Sequence, residues 1–115
     1  KEAGQVAFRE LVKTADALIE SFPPGHLRGL GLDYESLREI NPKLVMCSIT
    51  PFGQSGPHRH FKTADLVNMA VGFLSQLAGE PDRAPLRWGA EQSYHMACPS
   101  SLTPFTWTLQ DRAEL

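Results

Sequence analysis

The chain has 115 residues, of which 42% are hydrophobic and 21% charged, and its formal net charge is −2. A chain of this length can bury a hydrophobic core of its own, which predicts one domain or part of one. The near balance of charges argues against nucleic acid or an anionic membrane as the main partner. No apolar run approaches the roughly 18 residues that a membrane span needs, and no signal-peptide pattern is found.

Cysteine and histidine usage points to a reduced setting without a metal. Cys47 and Cys98 are too few and too far apart for a disulfide framework, which favours a cytoplasmic protein. His58 and His60 have no acidic or cysteine partner nearby, so loop residues are expected there rather than metal ligands. Both chain ends fall inside helical patterns, and we therefore expect a segment of a longer chain.

The first third of the chain predicts a helix and a short strand. Apolar periodicity predicts a helix over residues 4–15 with one buried face. That face is formed by Phe8, Leu11, Val12 and Ala15. Residues 17–20 are predicted as a strand, and a short helix is predicted to begin at Pro24 and run through Arg28, where Gly29 stops it.

The next elements complete a strand–helix–strand unit. Asp33 is predicted to be the N-cap of a helix over residues 34–40, which Asn41 and Pro42 end. Its inward-facing residues are predicted to be Leu37 and Ile40. The apolar and β-branched residues 44–50 then predict a second strand. Two strands joined by a helical crossover within about 30 residues form a βαβ unit, so these strands are predicted to be parallel.

Each predicted strand runs into a loop rich in glycine and proline, residues 21–25 after the first and residues 51–57 after the second. In open α/β sheets, ligands bind just beyond the carboxyl ends of parallel strands. We therefore expect Phe22 and Phe52 at the same end of the sheet, with a ligand cleft between the two loops.

Beyond the second loop, residues 63–77 predict a long helix, and residues 85–115 remain unassigned. The buried stripe of that helix is predicted to comprise Leu66, Met69, Ala70, Phe73, Leu74 and Leu77. In the unassigned region, apolar content is typical of a helix, but Pro99 and Pro104 each cost a regular helix about 3 kcal/mol.

Six motifs occur in a fixed order: ESFPPG at 20–25, LGLDYESL at 30–37, INPKL at 40–44, SITPFGQSGP at 48–57, Asp65, and GEP at 79–81. In this order and spacing the chain resembles the class III CoA-transferase family, also called the L-carnitine dehydratase/bile-acid-inducible protein F family. The resemblance implies an α/β fold, a Rossmann-like parallel sheet with flanking helices, of which residues 1–115 are a partial large domain. It also implies a homodimer that moves coenzyme A between an acyl-CoA and a free carboxylic acid.

The resemblance implies that coenzyme A contacts four residues here. Ser21 and Phe22 match the start of the Asn-Phe-Arg-Pro-Gly loop of relatives, where Phe22 keeps an apolar side chain that can stack. The arginine of that loop is Pro23 here, and Arg28 is expected to supply the charge for a CoA phosphate instead. Lys62 matches a basic position that relatives place at coenzyme A.

The reaction centre implied by the resemblance lies near position 94. Family members attack the acyl-CoA with an aspartate, giving a mixed anhydride and then an aspartyl-CoA thioester. That position is Tyr94 here, and Glu91 is the nearest carboxylate, so both are candidate catalytic residues. Asp65 and Gln92 are expected at the edge of the substrate site.

Three functions remain open at this point. The first is CoA transfer. The second is an acyl-CoA racemase or isomerase of the same fold, which uses a His and an Asp as acid and base, although the family's histidine position is Ala64 here. The third is a CoA-binding relative without activity, for which Tyr94 in place of the aspartate is the argument.

Overall fold

The computed structural model describes residues 2–113. In chain order the elements are α1 (Glu2–Val12), β1 (Ala17–Glu20), α2 (His26–Gly29), α3 (Tyr34–Ile40), β2 (Val45–Ser48), α4 (Asp65–Val71), a 3₁₀ turn (Leu74–Leu77) and α5 (Gln92–Ala113). Among these described residues, no helix is both long and apolar enough to cross a bilayer.

Strands β1 and β2 pair in parallel, with Ala17 opposite Val45 and Glu20 opposite Ser48. The ladder extends one step further, because the Ile49 N–H donates to the Glu20 carbonyl over 2.8 Å. The chain therefore leaves both strands at the same end of the sheet. The α/β fold and the predicted βαβ unit are confirmed, although β2 is shorter than the predicted strand over 44–50.

Local signals define α3 at both ends. The Asp33 side chain accepts a hydrogen bond from the Ser36 N–H over 2.9 Å, as predicted for an N-cap. Bonds from Ser36 hold the pKa of Asp33 below its ordinary value of 3.8. At the other end, the Asn41 side chain donates to the carbonyls of Val12 (2.9 Å) and Ala15 (2.8 Å). Asn41 thus ends α3 and also satisfies carbonyls at the end of α1.

The main core lies between α1, α3 and the start of β2. It is formed by Val12, Leu32, Leu37 and Leu44, with Phe8, Ala15, Leu18, Leu27, Ile40 and Met46 packed around it. The inward orientation of Leu37 and Ile40 is confirmed. The prediction for Leu11 was wrong, because its side chain is 70% exposed. Leu11 lies at the edge of the apolar face of α1, and only the centre of that face meets the core.

The predicted helix over 63–77 was wrong in its length and its buried face. Helix α4 ends at Val71, Phe73 adopts a left-handed conformation with φ 61°, and a 3₁₀ turn follows. The predicted stripe is largely exposed, with Leu66 at 53% and Leu77 at 75%. Met69, at 0%, is the member of that stripe that is fully buried. Because α4 packs against α5, the position of α5, and not the apolar pattern of α4 alone, determines which residues of α4 are covered.

Residues 92–113 form one helix despite its two prolines. A helical proline lacks the N–H that would bond the carbonyl four residues earlier. Hydroxyl groups nearby donate to other carbonyls of α5, for example Thr103 to Pro99 over 3.3 Å and Thr108 to Pro104 over 2.9 Å. Helix α5 contacts both α4 and β2, and its Phe105 is 8% exposed. Tertiary contacts therefore hold a helix that the local sequence disfavours.

Candidate functional site

A cleft of about 1210 Å³ is bordered by β2, by α5 and by the loops that follow both strands. The first loop contributes Pro24 and Gly25, and the second contributes Gln54. Helix α5 forms the facing wall, to which Phe105 belongs. The two loops thus share one cleft, as the parallel strands require.

Glu20, the last residue of β1, connects these two loops. Its side chain is buried, with the residue 8% exposed. One carboxylate oxygen accepts the Phe22 N–H over 2.7 Å, and the other accepts the Gln54 side-chain amide over 3.4 Å. Residue periodicity did not single out Glu20. The signal that was available is a carboxylate at the end of an otherwise apolar strand, where it needs nearby donors.

The residues predicted to contact coenzyme A lie in different surroundings. Arg28 lines the cleft, and its guanidinium lies 3.8 Å from Asp33 with the side chain 84% exposed. Phe22 lines a second cavity of about 350 Å³, and its ring stacks on His26 with centroids 4.9 Å apart. Ser21 and Lys62 are exposed, on the first loop and on the segment before α4.

Asp65 forms the centre of a polar junction between α4 and α5. The residue is 4% exposed, and its Oδ1 accepts the Ser93 hydroxyl over 2.6 Å and the Ser93 N–H over 2.9 Å. The Arg87 guanidinium lies 3.8 Å from Oδ2. Hydrogen bonds from Ser93, together with the positive charges of Arg87 and His95, hold the Asp65 pKa below its ordinary value of 3.8, against the opposing effect of burial. Asp65 is therefore a carboxylate at neutral pH.

The chain enters α5 through a strained turn. Ala90 and Glu91 both have left-handed conformations, with φ of 60° and 49°. The Glu91 carbonyl accepts the Tyr94 N–H over 3.1 Å. Tyr94 therefore lies in the first turn of α5, and Glu91 directly precedes the helix. Glu91 is exposed and Tyr94 is 46% exposed. Non-glycine residues in this conformation often occur at functional sites.

The predicted residues thus fall into two groups. Arg28 and Phe22 line the two cavities, whereas around the start of α5 lie Asp65, Glu91, Gln92 and Tyr94. Ser93, which the sequence did not single out, connects this group to α4. Its position at the start of a helix was the available signal, since serine is favoured there. Among the residues that the structure describes, no three His, Cys, Asp or Glu side chains form a group that could hold a metal ion.

The chemistry available at this junction is that of carboxylates. Asp65 Oδ1 is occupied by two hydrogen bonds from Ser93, which lowers its availability as a nucleophile. Glu91 lies nearby with its side chain open to solvent. A carboxylate can attack an activated acyl group as a nucleophile, and Glu91, two residues before Ser93, is the carboxylate here whose oxygens Ser93 does not bond.

Comparisons with known proteins identify the family of the chain. The family model for CoA-transferase family III matches residues 1–110. The chain is 46% identical over 86 residues to a succinate–glutarate CoA-transferase of Agrobacterium fabrum, covering 75% of this chain and 22% of that protein. It is 45% identical over 96 residues to the succinyl-CoA:(R)-benzylsuccinate CoA-transferase subunit BbsE of Thauera aromatica, covering 84% of this chain and 23% of that protein.

A solved structure extends the similarity to the fold. The crystal structure of a CAIB/BAIF family protein from Brucella suis matches 99% of this chain and 30% of its own, with a TM-score of 0.87 and 39% identity. The chain thus spans less than a quarter of the length of the two curated relatives described above. With a family match over residues 1–110 and the same arrangement in three dimensions, the chain belongs to CoA-transferase family III.

Proposed function

We propose that the protein is a CoA-transferase that moves coenzyme A from an acyl-CoA to a free carboxylic acid. The observation that carries this proposal is the shared cleft, because two loops that follow parallel strands border one space of about 1210 Å³. Such a position is where α/β folds bind extended cofactors. Membership of CoA-transferase family III supports coenzyme A as the ligand of this cleft.

Within this proposal, coenzyme A lies along the cleft with a phosphate near Arg28. A guanidinium forms charge-assisted hydrogen bonds with phosphate oxygens, and Arg28 is bound only loosely by Asp33 at 3.8 Å. Ser21, Phe22 and Lys62 are proposed to contribute further contacts. The α5 lining of the cleft runs from Ser101 to Asp111, so the thioester end is proposed to extend beyond the cleft to the junction at the start of α5.

The proposed nucleophile is Glu91, with Tyr94 beside it and Gln92 and Asp65 at the edge of the substrate. The Glu91 carboxylate attacks the thioester carbonyl and the carbon–sulfur bond breaks. CoA departs as the thiolate, and a mixed anhydride of Glu91 with the donor acid remains. The thiolate then attacks the Glu91 carbonyl carbon, which releases the donor acid and forms a glutamyl-CoA thioester. The acceptor carboxylate repeats the two steps in reverse and leaves as the new acyl-CoA.

The acceptor is proposed to be a dicarboxylic acid. Both relatives described above carry such an acid in their names, glutarate and (R)-benzylsuccinate. One carboxylate of such an acid reacts, and the other needs a cation close to the reaction centre. Arg87 meets this need, because its side chain is 59% exposed and its guanidinium approaches Asp65 without a direct hydrogen bond.

Further properties of the whole protein are proposed from the same family. Residues 1–115 belong to its large domain, and the protein is a cytoplasmic homodimer that needs no metal and binds neither nucleic acid nor a membrane. Size-exclusion chromatography with light scattering, cell fractionation and activity in the presence of a chelator test these points separately.

The test of the function uses the full-length protein with succinyl-CoA and glutarate. Formation of glutaryl-CoA, followed by mass spectrometry, is expected. Glu91→Gln should lower kcat by orders of magnitude, since an amide cannot form the anhydride, whereas Tyr94→Phe should retain activity. If both variants transfer CoA at the wild-type rate, neither side chain is a catalyst and the nucleophile lies elsewhere.

One rival has an observation in its favour. Tyr94 at the family's aspartate position supports a CoA-binding relative that has lost its activity. Binding of succinyl-CoA without any glutaryl-CoA formation would favour this rival. The racemase alternative predicts deuterium at C2 of a 2-methylacyl-CoA without CoA exchange. Incubation of the full-length protein with such an acyl-CoA in heavy water tests it.

A further inference from the structure

Glu20 makes three hydrogen bonds that join β1 to the segments following both strands. Its carbonyl accepts the Ile49 N–H over 2.8 Å, between the end of β2 and the second loop. One carboxylate oxygen accepts the Phe22 N–H in the first loop, and the other accepts the side-chain amide of Gln54 in the second loop. A single residue therefore spans the base of the cleft.

Each loop also has a ring contact of its own, between Phe22 and His26 in the first case and between Phe52 and Phe61 in the second. The residue that Glu20 bonds in the first loop, Phe22, is 48% exposed, and Gln54 in the second loop is exposed. Glu20 itself is 8% exposed and lies between the cleft and the second cavity, since it lines both. A buried carboxylate is tolerated only where donors satisfy it. Here those donors come from the two loops, so the carboxylate and the loop positions depend on each other.

We propose that Glu20 is a positioning residue that fixes the spacing of the loops at 21–25 and 51–57, and thereby sets the affinity of the cleft for acyl-CoA. This inference rests on the proposed function, because it takes acyl-CoA as the ligand. Glu20 acts through the loops that border the ligand and takes no part in the chemical step. Loss of the Glu20 side chain should therefore weaken the binding of acyl-CoA and leave kcat, the rate at which bound substrate reacts, unchanged.

Five variants of the full-length protein separate this role from a general loss of stability. Glu20→Ala removes both side-chain bonds and should raise KM for succinyl-CoA about tenfold, the factor that corresponds to ~1.4 kcal/mol. In Glu20→Gln the amide can bond both loops once the Gln54 amide turns over, so KM should stay near wild type. Gln54→Ala should give a smaller rise than Glu20→Ala, and the double variant should match Glu20→Ala alone. Leu37→Val weakens the core away from the loops and is the control.

Hydrogen exchange measures the loops without any ligand. Glu20→Ala should accelerate exchange within residues 21–25 and 51–57, and Leu37→Val should leave those two loops protected as in the wild type. Wild-type exchange in both loops of Glu20→Ala would overturn the positioning role. An unchanged KM in Glu20→Ala, an equal rise in Leu37→Val, or additive effects in the double variant would also overturn the inference. A wild-type protein that does not turn over succinyl-CoA would reject the proposed function instead, and the exchange result would still decide whether Glu20 positions the loops.

Discussion

Ser93 donates two hydrogen bonds to one oxygen of Asp65, from its hydroxyl over 2.6 Å and from its backbone N–H over 2.9 Å. Asp65 is the first residue of α4, and Ser93 lies in the first turn of α5. The pair therefore joins the starts of two helices. Between these helices lie the 20 residues 72–91, which contain no element longer than a 3₁₀ turn. The candidate reaction centre is built on this joint, because Glu91 and Tyr94 flank Ser93.

We expect Ser93→Ala to destabilise the protein in a pH-dependent way. The Asp65 pKa is lowered in the folded state, so its contribution to stability is present above the unfolded value near 3.8 and is lost as the pH falls through the folded value. The difference in free energy of unfolding between wild type and Ser93→Ala should thus be full at neutral pH and vanish in acid. Urea titrations across this pH range measure it.

The matched control for Ser93→Ala is Ser100→Ala on the same helix. The Ser100 hydroxyl donates to the Met96 backbone carbonyl over 2.8 Å, and this acceptor does not titrate. Its stability effect should be small and independent of pH. A Ser93→Ala effect that persists unchanged below the pKa of Asp65 would contradict the assignment of the bond to the ionised carboxylate.

Removing the N-cap of α3 should cost about 1 kcal/mol of stability, the usual effect of replacing an aspartate cap by alanine. The variant is Asp33→Ala, and Asp33→Asn is its control, because asparagine also accepts a bond from the Ser36 N–H. Thermal unfolding of the two variants should differ accordingly. Equal losses in both would show that the ion pair with Arg28, and not the cap, stabilises this turn.

The two leucines Leu37 and Leu11 should respond oppositely to truncation. Leu37 is 0% exposed, so Leu37→Ala should cost about 2–5 kcal/mol, as for other buried leucines. Leu11 is 70% exposed, so Leu11→Ala should change stability by less than ~0.5 kcal/mol. Chemical denaturation of both variants checks this pair. A large loss in Leu11→Ala would mean that the apolar face of α1 is buried as its periodicity suggests.

The left-handed conformation of Phe73 should make this position favour glycine. Phe73 has φ 61° and a side chain 66% exposed, so its replacement removes little packing. We expect Phe73→Gly to be about 1–2 kcal/mol more stable than Phe73→Val, because a β-branched side chain is strained in this conformation. Urea unfolding of the two variants gives the difference. The opposite order would indicate that residues 63–77 form one continuous helix after all.

Sequence signals that act over a few residues predicted the fold around the sheet well. The cap at Asp33, the stop at Asn41 and the crossover between the strands were all found where expected. The cap and the stop depend on local backbone geometry and hydrogen bonding. The crossover depends on a connection between the strands that is too short for another arrangement. The bond from Asn41 back to α1 was not predictable in the same way, since its acceptors lie 26 and 29 residues away.

By itself, the sequence determined the βαβ unit, the parallel pairing of its strands and the family to which the chain belongs, because short-range patterns and motif order encode them. Only the tertiary structure decided which face of α4 is buried, that α5 continues through Pro99 and Pro104, and that Glu20 and Ser93 join distant segments. The physical reason is that these features depend on what packs against a segment. Residue periodicity describes a helix face, but the neighbour in space determines whether that face is covered.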